Sequence, residues 1–265
     1  MLKIALSGIA GRMGQMLLKA VAAAPDMELA VAIGRAGSDI IGKDAGSPSG
    51  ITTGVIVTDD MKAIKGCDAV IDFSRPAGTL ALLPCCEEFH VPAVIGTTGF
   101  DAAGKARIDE AGKTVPVILA PNTSVGVNAV FELVAQAAKL LPSTDVEIVE
   151  MHHKNKVDAP SGTALEMGRF VAKARGQDFD EVAVLSREGH TGPRKEGSIG
   201  FAALRGGDVV GVHTVIFAGT GERVEISHHS TTREGYAQGA LQAARFLIGK
   251  EPDRYTMADV IGIGR

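Results

Sequence analysis

With 265 residues, 45% of them hydrophobic, and a net charge of −4, the chain is long enough for two ordinary domains with real cores. It carries no basic block or interleaved aromatics of the kind that marks a nucleic-acid partner. No apolar run approaches a membrane span, since Asp26 and Glu28 interrupt the early apolar stretch, and neither a charged leader nor a cleavage site opens the chain. Cys67, Cys85 and Cys86 are odd in number and lack C-x-x-C spacing, so they read as reduced thiols of a cytoplasmic protein rather than a disulfide frame or metal site.

Lys3 to Ser7 is a short apolar strand, followed by Gly8, Ile9, Ala10, Gly11, Arg12, Met13 and Gly14 and then by apolar residues at helical spacing (Met16, Leu17, Ala20, Val21, Ala24). Strand, glycine turn and helix in that order are the context of a dinucleotide-binding fingerprint. Gly8 permits the tight turn, small residues at 10 and 11 admit a pyrophosphate, and Gly14 allows close helix–sheet packing. The spacing departs from G-x-G-x-x-G, because Ala10 replaces one glycine and Gly11 adds another. The second strand, residues 28–33, should end in an acid that holds the adenosine ribose, but Gly34 and Arg35 stand there. A guanidinium suits a 2′-phosphate, so the site is expected to take NADPH at least as well as NADH.

Further strands are expected at 69–73, 93–95 and 115–119, separated by helices at 79–89 and 102–111, which implies a parallel sheet with right-handed crossovers. Ligands in such sheets lie beyond the carboxyl ends of the strands. That rule adds Gly96, Thr97 and Thr98, and Ala120, Pro121, Asn122 and Thr123, to the cofactor loops.

After Ser124 the pattern changes. A helix over 125–141 leads to an alternating strand at 146–151, and a second helix runs from 161 to 174, with Thr163 and Glu166 spaced as a capping box. Strand-like runs follow at 181–187, 199–205, 209–217 and 223–229, with glycine turns at 205–208 and 219–221 that read as hairpins. This is a separate α+β domain with a largely antiparallel open sheet. A last helix, 232–247, returns to the first domain. The division is therefore a Rossmann-type dinucleotide-binding domain over 1–124 and 233–265, and a substrate and oligomerisation domain over 125–232. The β-branched run at 209–217 points to an oligomer formed through the second sheet.

The densest chemistry lies between these elements. His152, His153, Lys154 and Lys156 crowd the end of the strand, and Ser161, Gly162 and Thr163 open the next helix, whose free N–H groups suit an anion. Imidazole supplies a proton near neutrality, and lysine neutralises carboxylates and developing negative charge. The cluster reads as a site where a small dicarboxylate is protonated. Adjacent strand residues face opposite ways, so His152 and His153 are poor joint metal ligands.

The run from Glu150 to Ala164 resembles the signature of the dihydrodipicolinate reductases of bacterial lysine biosynthesis. The resemblance extends to 8–14, 72–76, 96–100, 122–128 and 186–192 and so spans the chain. It implies reduction of a cyclic dicarboxylic imine with NADH or NADPH by a cytoplasmic homotetramer. Carried over residue by residue, it makes His152 the proton donor and Lys156 the second proton-transferring or substrate-orienting group. His153, Gly162 and Thr163 become substrate contacts, and the three loops hold the cofactor. The family often has an acid at position 34, and Gly34 departs from that, which puts an NADH preference in doubt. Asn155 is given no role. Two other readings remain: an aspartate- or homoserine-type dehydrogenase, which has no need of the histidine–lysine cluster, and a regulator that binds the cofactor without catalysis.

Overall fold

The apolar run Leu2–Ser7 forms a strand (β1) whose second half is buried on both faces, as a central parallel strand must be. The structure, a computed structural model, describes residues 1–264 and divides into two compact units. One is Met1–Val125 with the chain from Glu234 onward; the other is Gly126–Arg233. In the first unit, helix Arg12–Ala23 (α1) is followed by strands Met27–Ile33 (β2), Val57–Thr58 (β3) and Ala69–Asp72 (β4). Helix Pro76–Phe89 (α2), strand Ala93–Ile95 (β5), helix Ala102–Ala111 (α3) and strand Val117–Leu119 (β6) come next. Helix α2 starts at Pro76, before the expected Thr79, because proline suits the first helical position, where no N–H is needed.

The second unit is built from helix Val125–Leu140 (α4), strand Asp145–His152 (β7), helices Gly162–Ala174 (α5) and Phe179–Val182 (α6), and strands Ala183–Val184 (β8), Ile199–Arg205 (β9), Gly211–Ala218 (β10) and Arg223–Ser230 (β11). The chain then rejoins the first unit as helix Glu234–Leu247 (α7), strand Arg254–Tyr255 (β12) and helix Met257–Val260 (α8). Among the described residues no helix is long and apolar enough to cross a membrane.

The first sheet is parallel, in the order β12-β6-β5-β4-β1-β2-β3. Its order reverses between β1 and β4, and a crevice at such a switch point is where ligands of these folds bind. Leu17, Leu18 and Val21 of α1 and Ala240, Leu241 and Ala244 of α7 bury one face against Ile4, Leu6 and Ile71. Leu82, Leu83 and Ile108 cover the other against Val70, Ile95 and Val117.

The second sheet has the order β11-β10-β7-β9-β8 and is mixed. β10 is antiparallel to β7 and β11, whereas β9 runs parallel to β7 and β8. The turn at 205–208 is therefore not the expected hairpin: β7 lies between β9 and β10, and the glycines carry the chain across its end. Gly206 donates its N–H to the His152 carbonyl at 3.0 Å, and Lys154 donates to the Gly207 carbonyl at 3.2 Å. The turn at 219–221 does close a hairpin, with Gly219 donating to the Glu222 carbonyl at 2.9 Å.

Two local expectations also change. Of the run 181–187 only Ala183–Val184 is strand, because Asp178 accepts from the Asp180 N–H and starts a short helix there. Helix α5 is capped by Ser161, which accepts from the Ala164 N–H, rather than by a Thr163–Glu166 box, and Glu166 pairs with Arg169 instead. Phe131, Val134, Met167 and Val171 from α4 and α5 pack with Ile148, Phe201, Val215 and Phe217 to form this unit's core.

Candidate active site

The alternation of β7 sets Val146, Ile148, Glu150 and His152 on the buried face of the second sheet. The first two belong to the core; the last two begin the site. Glu150, 1% exposed, lies with Oε2 2.6 Å from His152 Nδ1. Arg205, at the end of β9, grips the same carboxylate with both guanidinium arms at 2.8 Å. Ser161 donates its backbone N–H to Glu150 Oε1 at 3.1 Å. Four donors thus surround one carboxylate, which satisfies the demand of a buried charge. The Ser161 hydroxyl is 2.9 Å from Nε2 of the buried His213 on β10, and the His213 ring meets the His152 ring edge-on, centroids 5.0 Å apart.

Burial works against ionisation of Glu150, but the hydrogen bonds from Arg205 and His152 outweigh it and hold the carboxyl below its usual range. Burial also pulls the His152 imidazole down, against the pull of Glu150 upward, and Lys156 and Arg205 add to the fall. His213 is pushed down to about 3, chiefly by burial and secondly by His152. It is a neutral histidine whose Nε2 shares a hydrogen bond with the Ser161 hydroxyl, and the same hydroxyl accepts from the Ala164 N–H.

The other expected substrate residues ring this cluster. Lys156 Nζ is paired with Asp158 at 2.7 Å, which lowers the Asp158 carboxyl. His153 keeps a buried Nδ1 that meets no hydrogen-bond partner in the protein. A Cβ added at Gly162 would meet open space, so the start of α5 is unobstructed there, and Thr163 follows on its first turn. No local pattern in the sequence marks Arg205 or His213 as part of this site. In the sequence Glu150 stands only as the first residue of the motif, although its place two residues before His152 on an alternating strand is a usable signal.

At the switch point of the first unit the glycine turn has the shape a pyrophosphate needs. Gly8 has φ +81°, and a Cβ there would lie 2.5 Å from the Phe73 carbonyl oxygen. At Gly14 a Cβ would meet the Gly8 oxygen at 2.3 Å, so the helix can approach the turn this closely only with glycine. Gly11 caps α1 without a side-chain bond, and no acid stands in its first turn, which leaves the amides to an anion. Ala10, Gly11 and Arg12 are exposed, while the Ile9 side chain is in the core, so Ile9 offers only backbone. Thr97 is buried and bonds Asp72 at 3.1 Å, and Thr123 donates to the Tyr236 carbonyl at 2.7 Å. These hydroxyls shape their loops and leave Thr98, Pro121 and Asn122 on the accessible side. Gly96 lies under the Phe73 ring, and Ala120 is buried. A Cβ at Gly34 would lie 2.9 Å from both Ile41 Cδ1 and Val57 Cγ1, so an acid there would have to displace packed side chains, whereas Arg35 is exposed.

Two family models divide the chain: dihydrodipicolinate reductase, N-terminus, matches residues 2–123, and dihydrodipicolinate reductase, C-terminus, matches residues 126–261. The chain belongs to the dihydrodipicolinate reductase family. It is 55% identical over 264 residues to the 4-hydroxy-tetrahydrodipicolinate reductase of Ralstonia nicotianae, covering 99% of this chain and all of that one. It is 53% identical to that of Nitrosospira multiformis, covering 99% and 98%. A dipicolinate-bound dihydrodipicolinate reductase from Paenisporosarcina sp. shares the fold, with a TM-score of 0.80 at 23% identity over 98% of this chain and 99% of the other. An aspartate dehydrogenase from Thermotoga maritima resembles it in fold alone, with a TM-score of 0.51 at 12% identity over 95% and 98%. Like its family, the chain is a reductase that uses a nicotinamide dinucleotide.

Proposed function

We propose that the protein reduces 4-hydroxy-tetrahydrodipicolinate, a cyclic dicarboxylic imine precursor, to tetrahydrodipicolinate on the route to diaminopimelate and lysine; the 4-hydroxyl leaves as water, and the conjugated imine so formed takes up the hydride and the proton. The observation that carries this reading is the buried Glu150–His152 pair beside Lys156 and the open start of α5, all within the reductase motif. A bound NADPH or NADH supplies the hydride, held by the Gly8–Met13 turn, Arg35 and the loops at 96–98 and 120–123. Once hydride has reached a ring carbon, the conjugated system is enamine-like and electron-rich, and His152 gives it the proton. Lys156 and the α5 amides with Gly162 and Thr163 take the carboxylates, and His153, next in the chain to His152, is the further substrate contact that the family motif implies. Binding of a dianion raises His152 from its depressed state, so the substrate itself helps load the acid.

Arg35 suits the 2′-phosphate, and the packing around Gly34 disfavours the ribose-binding acid of an NADH enzyme. On this reading NADPH serves at least as well as NADH. The protein works in the cytoplasm, where its three free thiols stay reduced, and as a homotetramer through the second sheet, whose Leu204 and Val224 are exposed. The test is cofactor oxidation with product freshly made by the preceding synthase, with L-aspartate as control. Turnover of the imine and none of L-aspartate is expected. The reverse would place the protein with the aspartate-type dehydrogenases, and binding of the cofactor without any turnover would make it a regulator.

A further inference from the structure

His152 sits in a frame more elaborate than proton donation alone requires. Its Nδ1 faces a carboxylate that also receives both arms of Arg205 and the Ser161 amide. An ionised carboxylate only accepts, so Nδ1 must carry its hydrogen in both charge states of the ring. The proton that comes and goes is therefore the one on Nε2. That edge of the ring is left clear by Gly211, where a Cβ would lie 3.1 Å from Nε2.

We propose that Glu150 and Arg205 are positioning residues for the reduction: Arg205 locks the Glu150 carboxylate, and Glu150 fixes the His152 tautomer and steadies its imidazolium, so that Nε2 delivers the proton. This rests on the reading of His152 as the acid. The cost of burying Glu150 is met by Arg205, which also donates to the Asp158 carbonyl at 2.6 Å and so joins the lysine loop to the frame. The Ser161 amide makes the start of α5 part of the same construction: one carboxylate aligns the acid and seats the helix that receives the substrate. The charged or titratable groups around His152 are Glu150 from β7, Arg205 from β9, His213 from β10 and Lys156 from the loop.

Long-range proton–nitrogen NMR of the histidine-labelled protein tests the tautomer without turnover. Neutral His152 is expected with hydrogen on Nδ1 and a bare Nε2; hydrogen on Nε2 would overturn the proposal. Glu150→Gln keeps the shape and removes the charge. It should lower kcat roughly 10- to 100-fold with NADPH affinity unchanged, and move the alkaline limb of the kcat–pH profile down by about one unit. Arg205→Met leaves the counter-charge and removes a like charge, so its limb should move up. Damage to folding alone would not shift the two limbs in opposite directions, and shifts in the same direction would sink the proposal. If His152→Ala keeps full kcat, the reading of the site itself fails. If that variant is crippled while Glu150→Gln keeps both rate and limb, only the positioning role fails.

Discussion

Lys156 Nζ reaches both carboxylate oxygens of Asp158, at 2.7 and 2.8 Å, so its charge is engaged before any substrate arrives. An incoming carboxylate must share or displace Asp158. Lys156→Ala is therefore expected to lower kcat and raise the substrate KM together, with NADPH affinity by fluorescence titration close to wild type. Asp158→Asn should lower the substrate KM by freeing the lysine. A large loss of NADPH binding in Lys156→Ala with substrate affinity intact would assign the lysine to the other site.

His152→Ala should lower kcat far more than it raises KM, by roughly 10²- to 10⁴-fold, the usual worth of general acid catalysis. The pH dependence of the native protein gives a second check. The acid must be protonated, so activity falls as pH rises through its pKa. In the free protein that pKa is depressed by burial, and the bound dianion raises it. The alkaline limb of kcat is thus expected at higher pH than that of kcat/KM, and coincident limbs would contradict substrate-assisted loading.

Arg35→Ala should weaken NADPH roughly 10- to 100-fold and leave NADH nearly untouched, the loss expected for a charge-assisted bond to the 2′-phosphate. Equal effects on both cofactors would show that Arg35 does not read the phosphate. Gly34→Glu is expected to favour NADH, but the side chains of Ile40, Ile41 and Val57 fill the space it would need. It should therefore also lower the melting temperature, which Arg35→Ala should not.

His213 gives the fold an acid sensitivity. An unfolded histidine takes up its proton near 6.5, and the folded one stays neutral down to about 3. Between those values the unfolded chain binds the extra proton, so stability falls as pH falls, by at most about 1.4 kcal/mol per pH unit for one group. His213→Asn should lose less of its melting temperature between about pH 7 and pH 5 than the native protein does. An equal or steeper loss would shift the sensitivity to another group.

Features that rest on local periodicity were plain in the sequence. The Gly8–Gly14 turn, the alternation of β7 and the small-residue start of α5 each announce themselves within about a dozen residues. Features that rest on long-range pairing were not. The glycines at 206 and 207 have hairpin chemistry, yet β9 lies beside β7, a partner some fifty residues back, because pairing is chosen by the whole sheet. The capping box failed for a smaller reason: Ser161 is also a good cap, and its amide was already drawn to Glu150. Arg205 and His213 could not be placed from sequence, since only strand register brings them to Glu150, as in the pairing of His213 with Glu150 across β10 and β7.

A Cβ at Gly239 would lie 1.7 Å from the Thr123 carbonyl oxygen, so α7 presses directly against the loop that follows β6. That helix, with β12 and α8 beyond it, leaves the ribosome only after more than a hundred residues of the other unit have been made. Until it emerges, Leu17, Leu18 and Val21 of α1 lack their cover, and the 120–123 loop lacks the Tyr236 carbonyl that anchors Thr123. The unit that begins the chain is thus completed only after the other unit has been made. A nascent or truncated chain ending after β11 would present an apolar helix face and an unseated loop, making it a target for chaperones and proteases rather than a weak reductase.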